Sequence, residues 1–520
     1  MSGDKPITSV VVVGGGTAGW LTASILAADH CASEPDGLRV TLVESETVPI
    51  LGVGEGTWPS LRDTLRRIGI SETTFIRRCN AAFKQGSRFN GWRDGSAADS
   101  YFHPFEAPPS QDDADLLRLW QSAGTDVPFA DAVCHQPAVC RAGLAPKQAG
   151  TPEYAAVANY AYHLDAPAFA ELLCEHATEK LGVRHILADV TGAERGENGD
   201  IARVTTAEHG PIAADLFIDC TGSRSLLVGD ALCAPLTDVS DVLFNDRALA
   251  CHVPYPDQEA PVASETHGTA LSSGWVWDIG LQTRRGVGYV HASNFISEDD
   301  ARRDLQGYLD RTAPGQNLSA DDARLIKFTS AYRETPWVKN CVAIGMSAGF
   351  VEPLEASAIV MIELAASMVS ENLPPTRSAM QGTAKRFNAR ASYRWSRIVD
   401  FLKAHYILSE RKEAYWMAHR DQATWTDRLV ELMERWKAVP PSREDFTQTQ
   451  EIFPAASYAY VLYGMGFATA MPATTRRRGQ EALLRMHRDA INTKQRRFSE
   501  GLPGHRQLLN HIQNHGLTRS

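Results

Sequence analysis

The chain has 520 residues, 43% hydrophobic and 22% charged, with a formal net charge of −10. That balance supports a large core and argues against a nucleic-acid surface. No apolar run approaches the roughly 20 residues of a membrane span, and the opening MSGDKPITS has no signal-peptide core, so a cytoplasmic protein is expected. The nine cysteines are scattered and form no C-x-x-C pair, so no metal ligand is assigned; Cys220 and Cys341 read as small core residues.

In chain order, residues 8–13 form an apolar run that reads as a buried parallel strand. It opens into Gly14-Gly15-Gly16-Thr17-Ala18-Gly19, a G-x-G-x-x-G stretch. Gly14 makes the tight turn, Gly16 clears space for a pyrophosphate, and Gly19 lets the next helix pack close. Thr17 and Ala18 open that helix, whose N-terminal N–H groups favour phosphate. A second strand over residues 38–43 ends at Glu44, roughly 25 residues past Gly19 and near the ribose-binding position of a dinucleotide fold. An acid there favours an unphosphorylated ribose, as in FAD or NAD.

Residues 49–57 form a glycine-rich loop in which Gly52 and Gly54 allow close approach to a cofactor, a strap against the nucleotide site. Residues 60–67 are amphipathic and helical. Lys84 is a single lysine among small and apolar residues, and composition alone would place it on the surface. Residues 101–105 are an aromatic cluster containing His103 and Phe105, and residues 107–151 read as an insertion with one helix at 113–120. Residues 165–180 have helical spacing, and residues 215–219 make a strand that returns to the nucleotide sheet. Trp275 and Trp277 project to one face of a strand.

Residues 342–345 form another apolar strand, closing on Gly345. Pro353 then suits the first position of a helix, with Glu355 in its first turn and an N-terminus that favours anions. From about residue 375 the chain is helical and aromatic. The basic run Arg476-Arg477-Arg478 reads as a solvated helix face. The expected class is α/β: an FAD-binding dinucleotide (Rossmann-like) fold over 1–374, with an insertion at about 100–155, and a mainly helical substrate-capping part over 375–520.

These stretches resemble the flavin-dependent halogenases of the tryptophan halogenase family. Four separated motifs carry the resemblance: residues 14–20, the strap 52–57, the pair Trp275-x-Trp277-x-Ile279, and Phe350-x-Glu352-Pro353-Leu354-Glu355. The tryptophan pair is the specific one, because it separates halogenases from ordinary flavin monooxygenases. The resemblance implies that FADH2, delivered by a separate flavin reductase, turns oxygen and halide into hypohalous acid, which passes through a tunnel to Lys84. Glu355 then orients the activated halogen or takes the ring proton. Gly14, Gly16, Thr17, Ala18, Gly19, Glu44, Gly52, Gly54, Trp275 and Gly345 are expected to hold FAD. The backbones of Ser357 and Ala358 are expected to hold halide, and His103 and Phe105 to face an indole. The two tryptophans would keep substrate off the flavin.

Three departures bear on substrate. Glu355-Ala356-Ser357-Ala358 replaces the family's Glu-Ser-Thr-Gly, and Gly280 stands where proline is usual. Phe453-Pro454-Ala455-Ala456-Ser457-Tyr458 replaces the Trp-Asn-Asn stretch that clamps free tryptophan. The expected substrate is therefore an indole-like or other electron-rich aromatic, not free tryptophan, with bromination and chlorination both open and a monomer or homodimer as the assembly. The competing readings are an FAD-dependent aromatic monooxygenase and an FAD-binding protein that halogenates nothing.

Overall fold

The computed structural model describes residues 4–49, 52–108, 114–123, 127–449, 451–470 and 480–519. Ile50 and Leu51 of the strap, Asp113 and the basic run 476–478 lie outside them.

The β-branched strand Ser9–Val13 sits near the middle of a six-stranded sheet. Its parallel neighbours are Leu216–Asp219 and Arg39–Glu44. Arg184–Leu187 extends one edge, and Cys341–Ala343 followed by the antiparallel Trp337–Val338 extends the other. Val10 to Val13 are each no more than 2% exposed, as a strand covered on both faces requires. The helix Thr17–Asp29 buries residues all round its circumference because it packs beneath the sheet and against the helices Ala166–Glu179 and Ser357–Glu371.

A second, seven-stranded sheet carries the tryptophan pair on Gly274–Gly280. Trp277 pairs with Gly288, where an added Cβ would lie 2.0 Å from the indole, so glycine opposite makes room for the ring. A small three-stranded sheet has Ala161–Leu164 at its centre, with Glu55–Gly56 on one side and Ala82–Lys84 on the other. This sheet brings the strap and the lysine together across about 30 residues of sequence and opposite the same strand.

Among the described residues, the stretch 107–151 holds three helices, Ala114–Ala123, Phe129–Val133 and Gln136–Arg141, where the sequence suggests one. Its far end is tied down by Glu72, a fully buried carboxylate that accepts from Lys147 Nζ at 2.9 Å and from the hydroxyls of Tyr160 and Tyr162. In the C-terminal part, the 27-residue helix Met380–Tyr406 runs from Phe387, packed on Trp337 of the first sheet, to His405. Its Trp395, Phe401 and Tyr406 share one core with Trp275 and Trp277. The helix His505–His515 reaches back to the lysine strand: His505 Nε2 accepts from the Phe83 N–H at 3.1 Å, while Nδ1–H donates to Val262 O.

Candidate active site

At the nucleotide end, Gly14 has φ +115°, and a Cβ there would lie 2.2 Å from the Cys220 carbonyl oxygen. At Gly19 it would lie 1.8 Å from Gly14 O, so the glycine allows the close helix packing expected of it. Gly16 differs. Apart from its two chain neighbours, no described residue has an atom within 4 Å of its Cβ position, and no side chain caps the helix it precedes. Its backbone faces open space with free N–H groups behind it. The Glu44 carboxylate folds over Gly15, and its Oε1 is 2.7 Å from His185 Nε2, with Trp20 edge-on to that imidazole. Glu44, His185 and Cys174 place donor atoms within 4.8 Å of one another, with Glu44 against Gly15 of the glycine loop.

A cavity of about 1050 Å³ runs from this loop to the other end of the site. Its lining includes Gly14, Thr17, Ala18, Glu44, Gly54, Gly345, Trp275, Trp277, Lys84 and Glu355. Gly345, at φ +72°, passes close to the Ala18 methyl. Gly52 lies outside the cavity, where its Cβ would meet Pro167 at 2.2 Å; its lack of a side chain serves helix packing. Trp275 and Trp277 are buried, their rings 6.5 Å apart, and the Trp277 indole N–H has no partner among the described residues. Bare backbone at Gly16 and Gly222, an acid beside the glycine loop and the orphaned Trp277 donor on the wall fit a flavin dinucleotide.

At the far end Lys84 is 1% exposed, so composition alone misplaces it. A Cβ on Gly56 would lie 3.1 Å from Nζ and 3.2 Å from the Ala356 methyl, so Gly56 makes the slot in which the ammonium sits. Nζ lies 5.2 Å from the Phe105 ring centre. Burial pulls the lysine down to about 8, with the charge of Glu355 acting in opposition.

Glu355 precedes the helix instead of lying in its first turn. Pro353 leads into a short 3₁₀ turn, Leu354–Ala356, in which Glu355 and Ala356 both have left-handed backbones at φ 63° and 55°. The α-helix begins at Ser357, and with Ala356 offering no capping side chain, the N–H groups of Ser357 and Ala358 belong to an uncapped first turn that lines the cavity. Burial would raise the Glu355 carboxyl, but His103 and His405 hold it well below the usual carboxylate range. His103 Nδ1–H donates to Oε1 at 2.8 Å, and its Nε2 lies 3.0 Å from Ser457 Oγ. Both nitrogens of His103 are therefore engaged, and its ring lies near Phe401 and Tyr460.

Two residues escaped the sequence reading. Trp58, just past the strap, donates its indole N–H to the Glu355 carbonyl at 2.8 Å. His405 puts Nε2 3.3 Å from Glu355 Oε1. The Trp58 signal was its place directly after the strap; nothing local marks His405.

A dinucleotide sheet joined by one cavity to a buried lysine and carboxylate defines a flavin-dependent oxidoreductase. The family model described as tryptophan halogenase matches residues 9–479. Tryptophan 6-halogenase SttH of Streptomyces toxytricini is 32% identical over 95% of this chain and 96% of its own. A crystal structure of a tryptophan halogenase from Shewanella frigidimarina superposes with a TM-score of 0.95 at 44% identity, covering 99% of both chains. BrvH, a flavin-dependent halogenase from Brevundimonas sp. BAL3, superposes at 0.82 with 30% identity over 97% and 99%. The chain belongs to the tryptophan halogenase family and is a flavin-dependent halogenase that uses FAD and halide. Among the described residues no helix is long and apolar enough to cross a membrane.

Proposed function

We propose that this enzyme halogenates an indole-like aromatic substrate other than free tryptophan, with Lys84 and Glu355 as its catalytic pair. The observation that carries the reading is the buried Lys84 ammonium in its Gly56 slot, on the same cavity as the Gly14–Gly16 loop and Glu355. Bound FADH2, fed as a diffusible species by a separate reductase, supplies hypohalous acid from oxygen and halide. Gly14, Gly16 and Glu44 hold the dinucleotide, and the Ser357 and Ala358 N–H groups hold halide.

Lys84 donates a hydrogen bond from Nζ to the oxygen of the acid and so polarises the oxygen–halogen bond. The ring carbon attacks the halogen as the oxygen–halogen bond breaks, the oxygen takes a proton from Nζ and leaves as water, and Glu355 accepts the proton lost from that carbon; return of that proton to the Lys84 amine restores the pair. Phe105, beneath Nζ, offers an aromatic face to the substrate. Trp275 and Trp277 stand along the cavity wall and separate substrate from flavin.

The C-terminal stretch supports the choice of substrate. Phe453 stacks on Phe401 at 3.8 Å and Ser457 is taken by His103, so neither is free to grip an amino or carboxyl group. Residues 375–520 act as the cap over this pocket, with a cytoplasmic location and a monomer or homodimer as the working assembly. The test supplies reduced FAD, oxygen, bromide and indole to the wild type and to Lys84→Met. The expected result is bromoindole from the wild type and none from the variant, with flavin oxidation unchanged. Bromination by the variant would refute the lysine role. Turnover with NADH and no reductase would make the enzyme a single-component monooxygenase.

A further inference from the structure

We propose that Tyr101 and His405 are positioning residues for halogenation, a pair that fixes which oxygen of Glu355 is left free to act. The inference rests on the Lys84 and Glu355 reading above.

Tyr101 lies two residues before His103 on the strand Ser100–Pro104, so both side chains leave the same face of the sheet. His405 comes from the last turn of the helix Met380–Tyr406, 304 residues away in sequence. The Tyr101 hydroxyl lies 2.8 Å from His405 Nδ1. His405 Nε2 lies 3.3 Å from Glu355 Oε1 without completing a hydrogen bond to it, and no other acceptor among the described residues takes its place. A neutral imidazole has one N–H and one lone pair. With a carboxylate before Nε2 and a hydroxyl before Nδ1, one arrangement suits all three groups. Tyr101 O–H donates to Nδ1, and Nε2–H is on the side of the ring that faces Glu355.

The ring cannot readily leave this state. It is fully buried, with Phe89 at 4.8 Å, Phe401 at 5.1 Å and Trp92 at 5.9 Å between ring centres. Burial disfavours its protonation and likewise holds the Tyr101 hydroxyl in its neutral form. The opposite tautomer would aim a lone pair at a carboxylate, which disfavours it, and the Tyr101 hydroxyl supports the remaining tautomer by donating to Nδ1.

Both imidazoles address the same carboxylate oxygen: His103 Nδ1 at 2.8 Å and His405 Nε2 at 3.3 Å are each closest to Oε1. Oε2 is the oxygen left for the reaction. The backbone is fixed as well, because Trp58 holds the Glu355 carbonyl in a left-handed conformation that needs such support. When the carbon–halogen bond has formed, the ring carbon loses its proton to Oε2, and the carbon–hydrogen electron pair restores the aromatic ring.

The test compares Tyr101→Phe, His405→Phe and His405→Gln. Each is given reduced FAD, oxygen, bromide and indole, and two products are followed: bromoindole, and hypobromous acid caught by monochlorodimedone. Tyr101→Phe removes one oxygen and keeps the packing. In Tyr101→Phe and His405→Phe, kcat for bromoindole is expected to fall about tenfold, part of what a well-aimed base supplies. KM and total hypobromous acid should not change, so the trapped share rises. His405→Gln keeps an acceptor for Tyr101 and a donor for Glu355, and should recover most of the loss. Unchanged kcat in Tyr101→Phe, or no recovery in His405→Gln over His405→Phe, would overturn the proposal. If Lys84→Met is inactive while these variants are normal, only this inference fails. If Lys84→Met still brominates, the underlying reading fails instead.

Discussion

Replacing Lys84 with methionine should make the protein more stable as it removes the activity. The ammonium is almost wholly buried, and burial lowers its pKa from the usual 10.5 to about 8. The folded state therefore binds this proton less tightly than the unfolded chain does. The difference corresponds to about 3 kcal/mol at ~1.4 kcal/mol per pH unit. The sign follows from linkage: the cost is fully present below pH 8, and it disappears as pH rises from about 8 toward the unfolded value. Methionine has a similar length and no charge, so at pH 7 Lys84→Met should melt about 3 °C higher, using the usual unfolding entropy per residue for a chain of this size. Melting curves for both proteins, taken at intervals from pH 7 to about 10, provide the assay. The gap should close as pH rises, because the wild type gains stability over that window. A variant that melts lower at pH 7, or a gap that does not change with pH, would refute the idea that Lys84 is held at a cost to the fold.

Other outcomes follow from the same geometry. Gly16 has a negative φ and, its two chain neighbours apart, no described residue with an atom within 4 Å of its Cβ position. Gly16→Ala should therefore fold normally, with an unchanged melting temperature, yet bind FAD at least about tenfold more weakly, or ~1.4 kcal/mol, in a fluorescence titration. Glu72→Gln leaves the fully buried Lys147 without its counter-charge. It should cost about 3–5 kcal/mol in chemical denaturation, with protease cleavage appearing first near residues 146–160.

Where function is written in consecutive residues, the sequence was readable. The strand Ser9–Val13, the glycine loop and the strand ending at Glu44 all stand where the pattern puts them. Period-2 spacing likewise placed Trp275 and Trp277 on one face. Lys84 was different: its surroundings in sequence suggest an ordinary surface lysine, and only the family resemblance picked it out. Its burial comes from Gly56, from the strand Ala161–Leu164 between them, and from Ala356, none of which is near it in the chain. The insertion was underestimated, because its three helices are short and two are only five and six residues long. Helices of that length gain their stability from packing and not from local preference.

The amino-acid sequence by itself determined the nucleotide-binding unit, since a tight turn, a bare backbone and a helix N-terminus are properties of neighbouring residues. The family resemblance, read on the side chains at 453–458, implies that the clamp for free tryptophan is replaced. Tertiary structure alone decided the state of Glu355. Its left-handed backbone, its anchor on Trp58 and the two imidazoles on one oxygen come from four separate segments of the chain. Hydrogen bonds and buried charge depend on distance in space, and no spacing along the chain encodes a distance that folding has yet to set.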